Sequence, residues 1–391
     1  MKRIPELDGV RAVAVALVIG SHYKASSIVL GELPKFGWAG VEIFFVLSGY
    51  LITTILLGLR GRPHAYRTFY ARRIRRIFPP YYITVVLAAI FEVATKFHLD
   101  VRTLLIEAGF LRSFTRTARI VLATVHTLAT HSPNSLLAVP HLAAGLPAIY
   151  PYNMKIALTP TWSLSVEEWF YILWAPTALA FGRRGIAWGA SIALVVGFLL
   201  RWASGVDSLS WYTNFFCQFD LLGIGALLAL WLDHRRHMTD GRRRTGDRTL
   251  DGFALASISG LGYILFHIRP FVGLDILGAP LFAAFGTTLV GIAVAGLIAH
   301  LIHWSRGRSP LARLFRLPPL TWLGRRSYTI YLAHLPWYWV VWTLLGVSRG
   351  PAWSIDAIAL ALTILTAALS WRYIEEPLLR SPTEPLITAT P

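Results

Sequence analysis

The chain has 391 residues and a net charge of +17, with 55% hydrophobic and only 15% charged residues. A soluble domain carries roughly 25% charged residues, so this composition excludes an ordinary water-soluble fold and leaves no room beside the apolar spans for a soluble domain of useful size. Nor do the cations point to nucleic acid: they sit in short loops beside apolar runs, as at Arg72, Arg73, Arg75, Arg76 and at Arg242, Arg243, Arg244, the pattern of a cytoplasmic membrane face.

Apolar stretches long enough to cross a bilayer recur at 9–30, 37–59, 79–98, 165–182, 185–203, 216–233, 250–267, 277–303, 327–346 and 352–371. They predict an all-α fold, a polytopic transmembrane bundle of about ten helices. The basic loops Arg60–Arg76, Arg183–Arg184, His234–Arg248 and Arg306–Arg316 then fall on one side, the cytoplasmic one, and both termini are cytoplasmic. Lys2 and Arg3 precede the first apolar run as in a signal peptide. Asp8, Arg11 and His22 in or beside that run, with no small-residue cleavage site after it, make it a retained span.

The stretch 101–160 is different. It is moderately apolar, carries Arg112, Arg116, Arg119, His126, His131 and His141, and turns Pro-rich near Pro147, Pro151 and Pro160. Parity puts it on the extracytoplasmic side; two further helices there would keep the same topology. The expected division is a transmembrane domain over 1–380, with 101–160 as an extracytoplasmic segment, and a short disordered tail over 381–391. The one cysteine, Cys217, lies in an apolar stretch and reads as a small core residue; no intrachain disulfide or cysteine metal cluster is possible.

Ionisable groups inside spans are expensive and mark functional sites by default. Arg11 and His22 are eleven positions apart, which a helix turns into about 1100° and about 16 Å, so both point to nearly one face. His22 is a candidate general base, since its pKa range suits proton transfer near neutrality; the plainer alternative is an interhelical hydrogen bond. Asp8 lies beside Arg11. Ser163 and Glu167 share a helical face at i,i+4, with Glu168 pointing elsewhere. Trp162, Trp169, Phe170, Tyr171 and Trp174 around them read as an interfacial aromatic group. Arg72, Arg73 and Arg76 can cover one helical face and present planar forks to phosphate, or merely set topology. His334 lies in the ninth span, where the plain reading is again an interhelical hydrogen bond. Arg372 with Glu375 or Glu376 reads as a structural ion pair closing the last span. No P-loop, GxSxG elbow, zinc motif or dinucleotide fold is present.

Taken in order, these segments resemble the acyltransferase-3 family of bacterial membrane O-acyltransferases, which modify polysaccharides, lipid-linked sugars and some antibiotics. The resemblance is carried by Arg3 through Ala12, by Arg11 and His22 as its R-x10-H motif, and by Gly40 through Ile52, which includes Glu42 and Ser48. Arg72, Arg73 and Arg76 match RRxxR, and Ser163 with Glu167 matches SxxxE. Phe219 through Ala229, Leu323 through Pro336, with Ser327, Tyr328 and His334, and Ile374 through Pro377 complete it. Glu42 stands where Asp is usual, Tyr50 where Phe is usual, and Trp169 where Gln is common. Many relatives continue into a C-terminal SGNH hydrolase-like domain, which is not expected in this sequence of 391 residues.

The resemblance implies a multi-pass enzyme of the bacterial cytoplasmic (inner) membrane. It would move an acyl group, acetyl by expectation, from acyl-CoA to a hydroxyl on a sugar or sugar-bearing acceptor. Arg72, Arg73 and Arg76 would hold donor phosphates, Arg11 would draw in the thioester end, His22 would take the hydroxyl proton, and Glu167 with Ser163 would orient acceptor or His22. Asp8, Glu42, Ser48, Ser327, Tyr328 and His334 would support the site. The expected partners are acyl-CoA as donor substrate, a carbohydrate acceptor and the bilayer, with no nucleic acid and no bound cofactor or metal. A different class fits some of the same residues: a proton-coupled transporter or flippase, with His22, Glu42 and His334 as a proton relay.

Overall fold

The computed structural model describes residues 3–23, 36–96, 100–113, 157–203, 212–238, 285–305, 308–345 and 352–380, with isolated residues between 252 and 259. The expected span 250–267, most of the stretch 101–160 with its three histidines, and the tail 381–391 lie outside the described residues. Within them the chain is helical, without a strand: α1 (Pro5–His22), α2 (Gly37–Leu59), α3 (Ala65–Lys96), α4 (Val101–Ala108), α5 (Thr161–Ala203), α6 (Phe219–Met238), α7 (Thr287–His303), α8 (Pro310–Phe315), α9 (Pro318–Leu345), α10 (Ala352–Ser370) and α11 (Glu376–Arg380). A 3-10 turn, Phe216–Gln218, leads into α6, and a π turn, Trp371–Glu375, joins α10 to α11.

Five helical stretches are long and apolar enough to cross a membrane: Gly37–Leu59, Ala65–Thr95, Thr161–Trp202, Phe216–Arg235 and Trp353–Arg380. α7 is shorter but equally apolar in character. The longest, α5, breaks at Gly182, whose φ of 62° is open to glycine and strained for other residues. Beyond the break the chain folds back: Gly189 packs against the Trp174 ring, although a straight helix would separate them by about 22 Å. The two spans expected at 165–182 and 185–203 are the two arms of this hairpin.

Two long helices stand apart from the five. α1 carries Glu6, Asp8 and Arg11; α9 carries Arg325, Arg326 and His334. They pack chiefly on each other, with α2 on the other flank of α1 and α10 on that of α9. Of the apolar helices, α2 and α6 are mostly buried, whereas others face outward: Val86, Leu87 and Ile90 of α3 and Trp188, Ile192, Val195 and Leu199 of α5 are exposed. The arrangement follows from the solvent. Lipid can cover leucine but cannot satisfy a carboxylate, so helices with charges take the interior.

The second major packing is α2 on α6. Gly49 lies against the Leu222 carbonyl and Gly225 against that of Val46, so the two backbones touch and neither position has room for a Cβ. Behind this pair, α5, α6 and α7 are tied by one fully buried ion pair. Arg201 donates to both Asp220 oxygens at 2.9 and 2.6 Å and to Thr288 Oγ1 at 2.8 Å, and also donates to the Cys217 carbonyl. Cys217 itself is fully buried, as a core residue.

The aromatic group near the start of α5 is corrected by the structure. Trp162, Phe170, Tyr171 and Trp174 are buried rather than interfacial. Phe170 stacks on Trp174, whose Nε1 donates to Thr53 Oγ1 at 2.8 Å, because this arm faces α2 and α6. The closing ion pair is also redrawn. Glu375 accepts from Thr329 and Ser370 at 2.7 and 3.0 Å, and Glu376 pairs with Arg380 at 2.7 Å, because the π turn shifts the register on which an Arg372 pair was counted.

Removing one partner of the Arg201–Asp220 pair leaves a lone buried charge. Arg201→Ala is expected to destabilise the detergent-purified protein by about 3–5 kcal/mol. The double change Arg201→Met with Asp220→Leu is expected to recover most of the lost unfolding midpoint, measured by thermal scanning.

Candidate active site

At one end of the bundle α1, α2, α3 and the end of α6 enclose a cavity of about 720 Å³. Its cations are Arg3, Arg11, Arg62, Arg72 and Arg73, against the acids Asp8 and Asp233. Asp8 organises the α1 side. It is buried, accepts from Arg3 Nε at 2.8 Å through one oxygen and from Arg11 Nη1 at 2.8 Å through the other. The remaining arginines leave a positive excess, which suits a polyanion.

A second chamber of about 90 Å³ lies deeper, between α2, α3, α5 and α9. Arg11, Leu51 and Arg73 line both spaces, so the two meet at these side chains. Arg73 Nε is buried there without a hydrogen-bond partner. The deeper chamber adds Arg76, Glu167 and Glu168, so three guanidinium groups and two carboxyls line one small space.

The polar wall of this chamber is built from hydroxyls. Glu167 accepts from Ser48 Oγ at 2.9 Å and from Tyr171 OH at 2.6 Å, one on each oxygen. Ser163 does not support Glu167. Its hydroxyl is 3.1 Å from the Pro160 carbonyl and 2.7 Å from Tyr331 OH, and Tyr331 OH is 3.0 Å from the same carbonyl. The i,i+4 spacing is real, but tertiary partners take both side chains. Tyr328 donates to the Ile77 carbonyl at 2.9 Å and lines the chamber beside Ser327 and Glu168.

His22 lies elsewhere, at the far end of α1, about 16 Å of helix beyond Arg11. His334 of α9 meets it there, with His334 Nε2 3.4 Å from His22 Nδ1 and ring centroids 5.1 Å apart. The Tyr331 ring, a wall of the chamber, packs 5.7 Å from the His334 ring. Chamber and histidine pair are thus neighbours across one tyrosine. His22 is exposed, whereas His334 is fully buried.

The predicted residues therefore divide by place. Arg72 faces only the wide cavity and Arg76 only the chamber, while Arg11 and Arg73 face both. Ser48, Ser163, Glu167, Ser327 and Tyr328 join the chamber, and His22 with His334 forms the pair beyond it. Glu42 is in neither place. It is fully buried, neither carboxyl oxygen has a hydrogen-bond partner, and its charged neighbours are Asp220 and Arg201. The relay His22–Glu42–His334 is not assembled among the described residues. Sequence reasoning missed Tyr171, Tyr331 and the inward turn of Glu168. Tyr171 could have been found, since it follows Glu167 by four positions on one helix; Tyr331 had no such signal, because it reaches Ser163 across 168 residues.

A model of the acyltransferase-3 family, described as an acyltransferase domain, matches residues 4–372. The chain is 30% identical over 96% of its length to the peptidoglycan O-acetyltransferase OatA of Listeria monocytogenes, covering 56% of that protein. It is 29% identical to YrhL of Bacillus subtilis, which is provisionally named for the same activity, over 96% of this chain and 55% of that one. An O-acetyltransferase of Staphylococcus aureus, again provisionally named, is 26% identical over 96% and 57% respectively. The chain thus spans just over half the length of these curated relatives. No solved structure matches.

The chamber wall makes a testable distinction. Glu167→Gln keeps an acceptor for Ser48 and is expected to unfold close to wild type. Glu167→Leu strands the buried Tyr171 hydroxyl and the half-buried Ser48 hydroxyl, and is expected to cost about 1–3 kcal/mol for the buried one and less for the other, read as a lowered thermal midpoint.

Proposed function

The chain belongs to the acyltransferase-3 family, and on that premise we propose that it is a membrane-bound O-acyltransferase that moves an acetyl group from acetyl-CoA to a glycan hydroxyl. Peptidoglycan, named in the relatives, is the acceptor we favour. The observation that carries this reading is the junction at Arg11 and Arg73, where an arginine-rich cavity opens into a chamber leading toward a histidine pair.

The donor's phosphates bind in the wide cavity against Arg72, Arg73 and neighbouring cations, which offer forked, charge-assisted hydrogen bonds. Its volume lies in the range of about 300–1,000 Å³ that suits a small-molecule site. The distance from this cavity to His22 calls for a donor with a long flexible arm between phosphate and thioester, as in CoA. Arg11 and Arg76 line the path of that arm, and Glu167, held by Ser48 and Tyr171, offsets their charge.

At the far end His22 is the base. Its Nδ1 lies 2.8 Å from the Val18 carbonyl, and since a carbonyl only accepts, Nδ1 carries the proton. Nε2, without a partner among the described residues, then has its lone pair free. It takes the proton of the acceptor hydroxyl as that oxygen bonds to the acyl carbon; the carbon–sulfur bond breaks and CoA leaves as the thiolate. The basic segment Arg60–Arg76, which the structure forms as a short turn and the first turns of α3, belongs on the cytoplasmic side, where acyl-CoA is found, so the histidine pair faces the opposite side, where a cell-wall glycan is met. The setting is the bacterial cytoplasmic membrane.

Acetyl-CoA is expected to raise the unfolding midpoint of the purified protein, and Arg72→Ala with Arg73→Ala to abolish that rise. His22→Ala is expected to keep the thermal protection while losing about 10²–10⁴-fold in acetyl transfer. A folded His22→Ala protein with full transfer would remove His22 from the mechanism.

A further inference from the structure

The tautomers of the two histidines follow from their backbone contacts. His334 Nδ1 is 2.6 Å from the Tyr331 carbonyl, so it too must carry a hydrogen. The neutral His334 ring therefore presents a bare Nε2, and the group 3.4 Å from it is the protonated Nδ1 of His22. The His22 Nδ1–H is thus shared between the Val18 carbonyl and His334 Nε2.

The position of His334 is itself fixed. Tyr23, the residue after His22, donates its hydroxyl to the His334 carbonyl at 3.1 Å, and that hydroxyl lies 3.4 Å from Thr363 Oγ1 of α10. The Tyr23 ring packs against Tyr338, one turn further along α9. The end of α1 is therefore fastened to α9 and α10 at the level of the pair, and the fully buried His334 has little freedom to turn.

We propose that His334 is a positioning residue for the transfer reaction, a neutral acceptor that holds His22 with Nε2 toward the acceptor hydroxyl and stabilises the imidazolium formed when Nε2 takes that proton. The inference rests on His22 being the base. As Nε2 is protonated, positive charge spreads to Nδ1–H, and its bond to His334 Nε2 becomes charge-assisted and stronger. The benefit arises as the transition state forms, not when substrate binds, so it appears in kcat rather than in KM. A carboxylate plays the corresponding part in the serine hydrolase triad. Here a second imidazole would do so without placing a net negative charge in the interior.

The test uses full-length protein in proteoliposomes, following thiol release from acetyl-CoA with soluble peptidoglycan fragments present. His334→Leu is expected to lower kcat by about 10- to 100-fold with KM for acetyl-CoA unchanged, by analogy with the loss on removing the partner that orients a metal-bound histidine. His334→Gln, which can return an acceptor to the ε position, is expected to recover part of the loss; His334→Asn, too short to do so, is not. Combining His334→Leu with His22→Ala is expected to be no slower than His22→Ala alone, because His334 acts only through His22. Wild-type kcat in His334→Leu, with His22→Ala inactive, overturns the inference and leaves the proposed function standing. So does a double variant in which the two losses multiply, since that marks a structural role. If the Leu variant unfolds, equal activity of the Gln and Asn variants overturns it. Full activity of His22→Ala overturns the underlying reading instead.

Discussion

An ionised side chain within a bilayer has only other protein groups for solvent, and the architecture turns on that constraint. α1 places Asp8 and Arg11 in its first half and His22 at its end, and α9 places His334 in its middle. Neither helix can be left against lipid. They pack chiefly on each other, with α2 and α10 on their flanks. Asp8 shows the economy of the result, since one buried carboxylate accepts from two arginines and fixes Arg11 at the meeting point of cavity and chamber.

On the proposed reading, the same constraint separates binding from chemistry. Five arginines around the wide cavity can be sustained only where water and a polyanionic ligand reach them. The histidine proposed as the base belongs away from that field. Helix α1 provides both conditions on one rigid rod, with Arg11 and His22 about 16 Å apart and the small chamber, bounded by Tyr331, in between. Ser163 and Tyr331 share the Pro160 carbonyl, and Glu167 is saturated by Ser48 and Tyr171. Hydroxyl groups suit such a wall because each can donate and accept, so the buried acceptors are satisfied without additional charge.

Remote tethers support this geometry. Arg201 and Asp220 lock α5, α6 and α7 together, and Gly49 with Gly225 brings α2 against α6 at backbone contact. On the other flank Glu107 accepts from Tyr81 OH and Thr161 Oγ1 at 2.9 and 2.7 Å and also pairs with Arg112, fastening the short helix α4 to the start of α5. Ser113 and Ser165 extend that seam through a 2.7 Å contact. The residues that open α5 and carry Ser163 and Glu167 are therefore held from both sides.

Composition and period were enough to read an all-helical membrane chain, and the spacing of Arg11 and His22 was enough to put them on one helix, because these features depend on a solvent and a single rod. Ordered motifs identified the family for the same reason: they are local strings. Burial of Trp162 and Trp174 was not legible, since an aromatic cluster looks alike at an interface and in a core until its neighbours are known. Nor was the exchange of partners by which Ser163 turned to Tyr331 and Glu167 to Ser48 and Tyr171. The sequence alone determined which residues had to be sheltered from lipid. Only the tertiary structure decided which of them meet, because a hydrogen bond between side chains 168 or 312 positions apart, as for Ser163 with Tyr331 and His22 with His334, exists only once the helices carrying them are packed.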